Sequence, residues 1–152
     1  TPTPNPVPES VTSNVVSVNH SSNTVSKLEV GTKVSTLINS VKEKQYAAVY
    51  NNGVLVGQDA VLATGMTLNI VDNGKICRTY TIIVTGDTSC DGKVNITDLI
   101  AIKSHILKKS TLSDYKYLGG DTNGDGKVNI TDFIKIKGYI LKKNGISGVT
   151  VQ

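Results

Sequence analysis

The pattern of hydrophobic and polar positions changes in the second half of the chain. Before residue 85, runs that alternate or are rich in β-branched residues predict four strands, over 11–18, 46–50, 67–71 and 79–84. Between the first two strands, apolar residues at i, i+3, i+4 and i+7 predict a helix over 32–43. One helix against several strands favours a small α+β module, with an immunoglobulin-like β-sandwich as the alternative.

A sequence repeat occupies most of the second half. Residues 86–109 read GDTSCDGKVNITDLIAIKSHILKK and residues 120–143 read GDTNGDGKVNITDFIKIKGYILKK, so that 18 of 24 aligned positions are identical. The copies start 34 residues apart. A duplication of this kind indicates one supersecondary unit that is used twice. We therefore expect any site that one copy carries to occur in the other.

Each copy contains a 12-residue stretch with side-chain oxygens at positions 1, 3, 5, 9 and 12 and glycine at position 6. This is the spacing of a calcium-binding EF-hand loop, in which position 7 contributes only its backbone carbonyl. Three carboxylates in one loop repel each other, so metal binding and loop folding are expected to be coupled. The predicted ligands of two Ca²⁺ ions are Asp87, Ser89, Asp91, Lys93, Asn95 and Asp98, and Asp121, Asn123, Asp125, Lys127, Asn129 and Asp132.

The two loops depart from the EF-hand consensus and from each other. Position 12 is aspartate in both loops, where the consensus has glutamate, so the following helix must come closer to the ion. The first loop also has the neutral hydroxyl of Ser89 at position 3, and Cys90 stands where the second loop has Gly124. On these grounds the first loop is predicted to be the weaker site.

The segment after each loop predicts a helix with two apolar stripes. One stripe is the predicted core face, formed by Leu99, Ile102 and Ile106 and by Phe133, Ile136 and Ile140. The second stripe, about 100° to one side, consists of Ile96, Ile100 and Leu107 and of Ile130, Ile134 and Leu141. A unit of about 60 residues has little core to bury a second stripe, so a partner protein is expected to cover it. The alternative is that these residues pack against the other copy or the N-terminal part.

Composition argues against several classes of function. The net charge of +4 is spread over 152 residues without a basic block, which disfavours nucleic-acid binding. No apolar run has the length that membrane insertion requires. Cys77 and Cys90 are expected to be separate thiols, with a disulfide between them as the alternative. Because the remaining acidic residues and both histidines form no catalytic pattern, a protein without enzymatic activity is expected.

Two GDxxxDGxVNxxD loops, each followed by a helix ending in Leu-Lys, resemble the dockerin module of clostridial extracellular proteins. The resemblance covers residue 86 to about residue 144. It implies an all-α module of two F-hand repeats, each an EF-hand loop without its first helix and each binding one calcium ion. It also implies docking onto a cohesin module of a scaffoldin or cell-surface protein, which assembles a cellulosome or another extracellular complex for polysaccharide degradation.

The resemblance further places the cohesin contacts at positions 10, 11, 17, 18 and 22 of each repeat. These positions hold Ile96, Thr97, Lys103, Ser104 and Lys108 in the first copy, and Ile130, Thr131, Lys137, Gly138 and Lys142 in the second. The Ile-Thr pair differs from the hydroxyl pair that many type I dockerins carry at positions 10 and 11. Near-identical copies imply that either helix can lead, which gives two opposite binding orientations.

The predicted organisation has four parts. Residues 1–10, with all four prolines of the chain, form an extended linker. Residues 11–85 form the small module, residues 86–145 the dockerin, and residues 146–152 a tail. The small module resembles the X-modules that support some dockerins, in its position only. The alternatives are that the N-terminal part is a carbohydrate-binding or adhesion domain tethered through the dockerin, or that the repeat is a calcium-stabilised structural element.

Overall fold

A computed structural model describes residues 11–13, 15–112 and 114–142 of this chain, with six strands and four α-helices among them. The strands are β1 (Ser17–Asn19), β2 (Thr24–Leu28), β3 (Ala47–Asn51), β4 (Val54–Leu55), β5 (Thr67–Asp72) and β6 (Lys75–Val84). The helices are α1 (Val34–Ser40), α2 (Ile96–Ile106), α3 (Asp114–Gly120) and α4 (Ile130–Lys142), and a 3₁₀ turn covers Lys44–Tyr46. The predicted linker over 1–10 and the predicted tail over 146–152 lie outside the described residues.

The six strands form one mixed sheet in the order β1-β2-β6-β5-β3-β4. Strands β2 and β6 are parallel, and the other neighbouring strands are antiparallel. The hairpins β3-β4 and β5-β6 turn at Asn52-Gly53 and Asn73-Gly74, where both residues have positive φ. This is the backbone that a type I′ turn requires, and the Asn-Gly pair adopts it at little cost.

The main core lies between one face of the sheet and α1. Val34, Leu37 and Ile38, at i, i+3 and i+4 of α1, are buried against residues of β2, β3, β5 and β6. Leu68 and Ile70 of β5 are fully buried on the same side, as the period of two along a strand requires. Each such side chain contributes about 1.5–3 kcal/mol relative to an exposed position.

A second core lies between α2 and α4 and joins the two repeats. Its buried members are Val94, Ile102, Val128 and Ile136. The predicted core face is confirmed, since its other members, Leu99, Ile106, Phe133 and Ile140, pack against this cluster. Val30 contacts both cores and thereby connects the sheet to the repeats.

The predicted fold class is wrong. The described residues form one mixed six-stranded sheet with four α-helices, in which the N-terminal region is rich in strands. The β-sandwich alternative fails because the main core lies between a sheet and a helix, not between two sheets. The C-terminal region is not an all-α module, because residues 85–95 and 121–129 are loops and α3 packs on β6. These loops cannot continue as helix, since Gly92 and Gly126 turn them with φ values of 79° and 87°.

Two local predictions also differ from the structure. Strand β2 was not predicted, and its alternation is interrupted at Lys27, where φ is 62° and the register with β6 shifts. Helix α2 ends at Ile106, earlier than its counterpart α4, because Lys108 has a φ of 61° and the Lys109 N–H donates to Ser104 O at 2.9 Å. This six-to-one hydrogen bond is typical of a Schellman termination. Cys77 and Cys90 are both free, as predicted.

Candidate functional site

Both repeat helices begin inside the predicted metal loops. The Asn95 side chain accepts the Thr97 N–H at 3.0 Å, and the Asp98 carboxylate accepts the Asn95 N–H at 2.9 Å. This is a reciprocal capping box at the start of α2. The second copy repeats both bonds at α4, at 3.1 and 2.9 Å. The end of each loop and the start of each helix are therefore the same residues.

The structure gathers the six predicted acidic ligands into two groups. In each group, one carboxylate oxygen per residue lies within 4.8 Å of the others. The first group is Asp87, Asp91 and Asp98, and the second is Asp121, Asp125 and Asp132. Clustered oxygens of this kind fit calcium, a hard cation that takes six to eight oxygen ligands. When bound, calcium would supply the positive charge that offsets the repulsion between the carboxylates.

The aspartate at position 1 organises the turn of each loop. Asp87 Oδ1 accepts the Asp91 N–H at 3.2 Å, and its Oδ2 accepts the Gly92 N–H at 2.9 Å. In the second loop the equivalent distances are 3.2 and 2.8 Å, at Asp121. Each carboxylate thus draws the backbone of positions 5 and 6 around itself, which places the other oxygens on the inside of the turn.

The aspartate at position 12 is fully buried in both loops. Besides its capping bond, Asp98 accepts the Ser89 N–H at 2.9 Å and the Thr88 hydroxyl at 3.3 Å. Asp132 accepts the N–H and the hydroxyl of Thr122, at 2.9 and 3.1 Å. Each position-12 carboxylate therefore ties the start of its loop to the start of its helix. The role of the two threonines was not predicted, although the GDT triplet that occurs in both copies marks them.

The other predicted ligands lie around these carboxylates. Asn123 Oδ1 accepts the Asp125 N–H at 3.2 Å, and the Ser89 hydroxyl lies 3.5 Å from Asp87 Oδ1. The amide oxygens of Asn95 and Asn129 cap the helices. The backbone N–H groups of Lys93 and Lys127 each donate to the position-5 carboxylate of their own loop at 2.9 Å. Both lysines are exposed. Coordination by these oxygens remains a prediction.

The carboxylates differ in electrostatic surroundings. Burial raises the pKa of Asp87, and the nearby Asp98 charge acts in the same direction. Burial also raises the pKa of Asp121. At position 5 the N–H of Lys127 lowers the pKa of the exposed Asp125. A neighbouring cation would therefore relieve a larger electrostatic penalty at position 1 than at position 5.

The second apolar stripe of the repeat is exposed, as its angular position on the helices predicts. Together with the resemblance-based contact positions it forms what we call the docking face. The exposed fractions are 57% for Ile96, 56% for Ile100, 52% for Leu107, 57% for Ile130, 61% for Ile134 and 68% for Leu141. Thr97, Lys103, Lys108, Thr131 and Lys137 are exposed, and Ser104 and Gly138 are partly buried. The Lys142 side chain lies outside the described residues.

A segment of the N-terminal region also reaches the first metal loop. The Thr64 N–H donates to Asp87 Oδ2 at 3.0 Å, and both residues are buried. We call residues 61–65 the wall segment. This contact was not predicted, because nothing in the local pattern before β5 indicates a contact with a loop 23 residues later.

The part of the chain that contains both repeats is similar to a known protein family. Residues 85–141 match the family model of the dockerin type I domain. Dockerin domains are non-catalytic protein–protein docking modules that bind cohesins; they generally bind calcium, and they often occur on enzymes. They occur in extracellular proteins. No curated protein and no solved structure matched the chain.

The dockerin match coincides with the two metal loops, α2, α3 and nearly all of α4. The sheet precedes it. Among the helices of the described residues, none is long and apolar enough to cross a membrane.

Proposed function

We propose that the dockerin region binds a cohesin in a calcium-dependent manner, and that the N-terminal region supports it. The observation that carries this proposal is the docking face, whose apolar side chains are more than half exposed at matched positions of the two repeats. Contiguous exposed apolar side chains with polar residues around them are typical of protein interaction sites. The exposed Lys103 and Lys137 at its edge would attract acidic groups of the partner and speed association.

Two calcium ions are the expected cofactors, one in each loop. Asp98 and Asp132 belong both to a loop and to the first turn of a helix. An ion that holds these carboxylates would therefore also hold the start of α2 and of α4, and with it the orientation of the docking face. Without the ion, repulsion among three clustered carboxylates would loosen each loop.

We further propose that the chain belongs to an extracellular complex of the cellulosome type, with a scaffoldin or a cell-surface protein carrying the cohesin. The family match supports this assignment. In this arrangement the N-terminal region is an X-module-like support, because it contacts the first loop through Thr64.

The test is a calorimetric titration of the purified chain against a panel of cohesin modules, with and without chelator. We expect one-to-one binding that is lost on chelation. Binding that persists after complete removal of metal, or the absence of binding to every cohesin, would refute the proposal.

Aspartate substitutions at the docking face test the two orientations. Ile96→Asp with Thr97→Asp, and Ile130→Asp with Thr131→Asp, should each be tolerated, because the other copy presents the same face. All four changes together should abolish binding. Val54→Asp with Leu55→Asp on β4 is a matched control, since these side chains are 68% and 63% exposed but lie on the sheet. Loss of binding from one pair alone would reject the symmetric arrangement.

A further inference from the structure

The two metal loops have nearly the same sequence but different surroundings. Asp87 is fully buried, whereas Asp121, at the same loop position, is only partly buried. A Cβ atom on Gly92 would lie 3.2 Å from the Leu62 carbonyl oxygen. A Cβ atom on Gly126 would meet nothing within 4 Å in the described part of the chain. The first loop is therefore packed against the N-terminal region. The second loop is more exposed, and α3 contacts it through the Tyr117 hydroxyl, which donates to Gly126 O at 3.0 Å and accepts the Val128 N–H at 3.3 Å.

The wall segment is fixed to the sheet by Thr64. The Thr64 hydroxyl donates to Val84 O at 3.2 Å and accepts the Val84 N–H at 2.9 Å. Val84 is the last residue of β6, three positions before Asp87. The N–H that Thr64 donates to Asp87 Oδ2 is thus held in place by the end of the strand.

Helix α3 closes the other side of the same aspartate. The Gly86 N–H donates to Gly119 O at 2.7 Å, and a Cβ atom on Gly119 would lie 3.0 Å from Asp87 O. The Tyr115 ring packs on Gly65 of the wall segment, since a Cβ atom on Gly65 would lie 3.2 Å from the ring. Asp87 is therefore held between the wall segment and the end of α3.

We propose that the wall segment pre-organises the first loop, with Thr64 as its positioning residue, so that the first site binds calcium more tightly than the second. This inference rests on the calcium sites of the proposed function. Loop rigidity raises calcium affinity, because donors that are already in place lose less conformational freedom on binding. The ligand chemistry points the other way, since Ser89 is a neutral hydroxyl and Cys90 has a strained φ of 67°. In this proposal, the contacts with the N-terminal region raise the calcium affinity of the first site by more than its weaker ligand chemistry lowers it.

The difference in calcium affinity between the two sites has a structural consequence. When calcium is removed, both loops loosen, but the first loop and α2 loosen less than the second loop and α4, because hydrogen bonds to the wall segment and α3 still hold the first loop. The N-terminal region therefore makes two nearly identical repeats unequal in their response to calcium.

Single-site variants of the full chain separate the two affinities. Asp91→Asn disables the first site and Asp125→Asn the second; both side chains are exposed at loop position 5. In a calcium titration, Asp125→Asn should bind at least about 10-fold more tightly than Asp91→Asn, in the range that outer contacts of metal sites provide. Equal affinities, or tighter binding by Asp91→Asn, would overturn the proposal.

Thr64→Val tests the positioning residue in both backgrounds, because it removes the hydroxyl that anchors the wall segment and keeps the volume of the side chain. We expect about a 10-fold to 100-fold loss of calcium affinity with Asp125→Asn, and less than about a 2-fold change with Asp91→Asn. A similar loss in both backgrounds would indicate general destabilisation and would overturn the proposal.

Amide hydrogen exchange on the calcium-free, otherwise unaltered chain gives an independent readout. Amides of α2 should exchange more slowly than those of α4, and equal exchange would contradict the proposal. If neither single-site variant binds calcium, both this inference and the calcium dependence of docking fail. If the first site is tighter but no cohesin binds, only the docking function fails.

Discussion

Ile136→Ala removes a side chain that is fully buried between α2 and α4. Ile136 belongs to the second core, with Val94, Ile102 and Val128. Replacing a buried isoleucine with alanine costs about 2–5 kcal/mol, since transfer free energy is lost and a cavity remains. A unit of about 60 residues has a total stability of about 3–9 kcal/mol. We therefore expect a loss of about 3 kcal/mol, a large part of what holds the two repeats together.

Ile134→Ala is the matched control. Ile134 lies two positions earlier in the same helix and is 61% exposed. The substitution removes the same atoms and changes helix propensity by the same amount, so the difference between the variants isolates the effect of burial. Its expected effect on stability is within about 0.5 kcal/mol.

Urea unfolding in saturating calcium, followed by far-UV circular dichroism, measures both variants. With a slope of about 1–1.5 kcal/mol per molar for a unit of this size, Ile136→Ala should lower the midpoint by about 2–3 M. The midpoint of Ile134→Ala should stay within about 0.5 M of the parent. Equal losses in the two variants would show that the helices do not present separate buried and exposed stripes.

Two further predictions concern a buried hydroxyl and pH. Tyr80→Phe removes the hydroxyl that accepts the Val11 N–H at 3.2 Å and lies 3.0 Å from His20 Nδ1. Thermal melting should show that the free energy of unfolding falls by about 1–3 kcal/mol. An unchanged melting temperature would contradict this prediction. Burial raises the pKa of Asp87 and Asp121. Calcium affinity should therefore fall as pH drops through the raised pKa values, because protonated carboxyl groups no longer attract the ion. An affinity that is independent of pH down to about 4 would contradict this prediction. In the calcium-free protein these two groups contribute stability below the ordinary aspartate pKa of about 3.9, and this contribution is lost as pH rises through the raised values.

The two acidic loops and the clustering of their carboxylates could be predicted because all of the side chains of each loop lie within 12 consecutive residues. Glycine at position 6 and aspartate at positions 1 and 12 determine a local turn through hydrogen bonds to nearby backbone groups. The docking face followed from the period of the helix and from the small size of the unit, and both are properties of the sequence pattern. Each of these local patterns also occurs in both copies of the repeat.

The sheet could be predicted only in part, because strand pairing depends on contacts between distant residues. Strand β4 has only two residues, and the polar residues and the bulge at Lys27 hide β2. The parallel pairing of β2 with β6 joins segments more than fifty residues apart, and no local pattern specifies it. The error in fold class has the same origin, since α3 packs on β6, a strand that precedes it in the chain.

By itself, the sequence determined that two matched acidic loops precede two helices with apolar residues on two faces. Tertiary structure decided that these copies are not equivalent. Burial of Asp87 against Thr64, 23 residues earlier, follows from the packing of the wall segment on β6, whereas the described hydrogen bonds to the Asp121 carboxylate come from its own loop. Local patterns specify which groups each loop contains, and only the packing of distant segments determines how rigidly those groups are held.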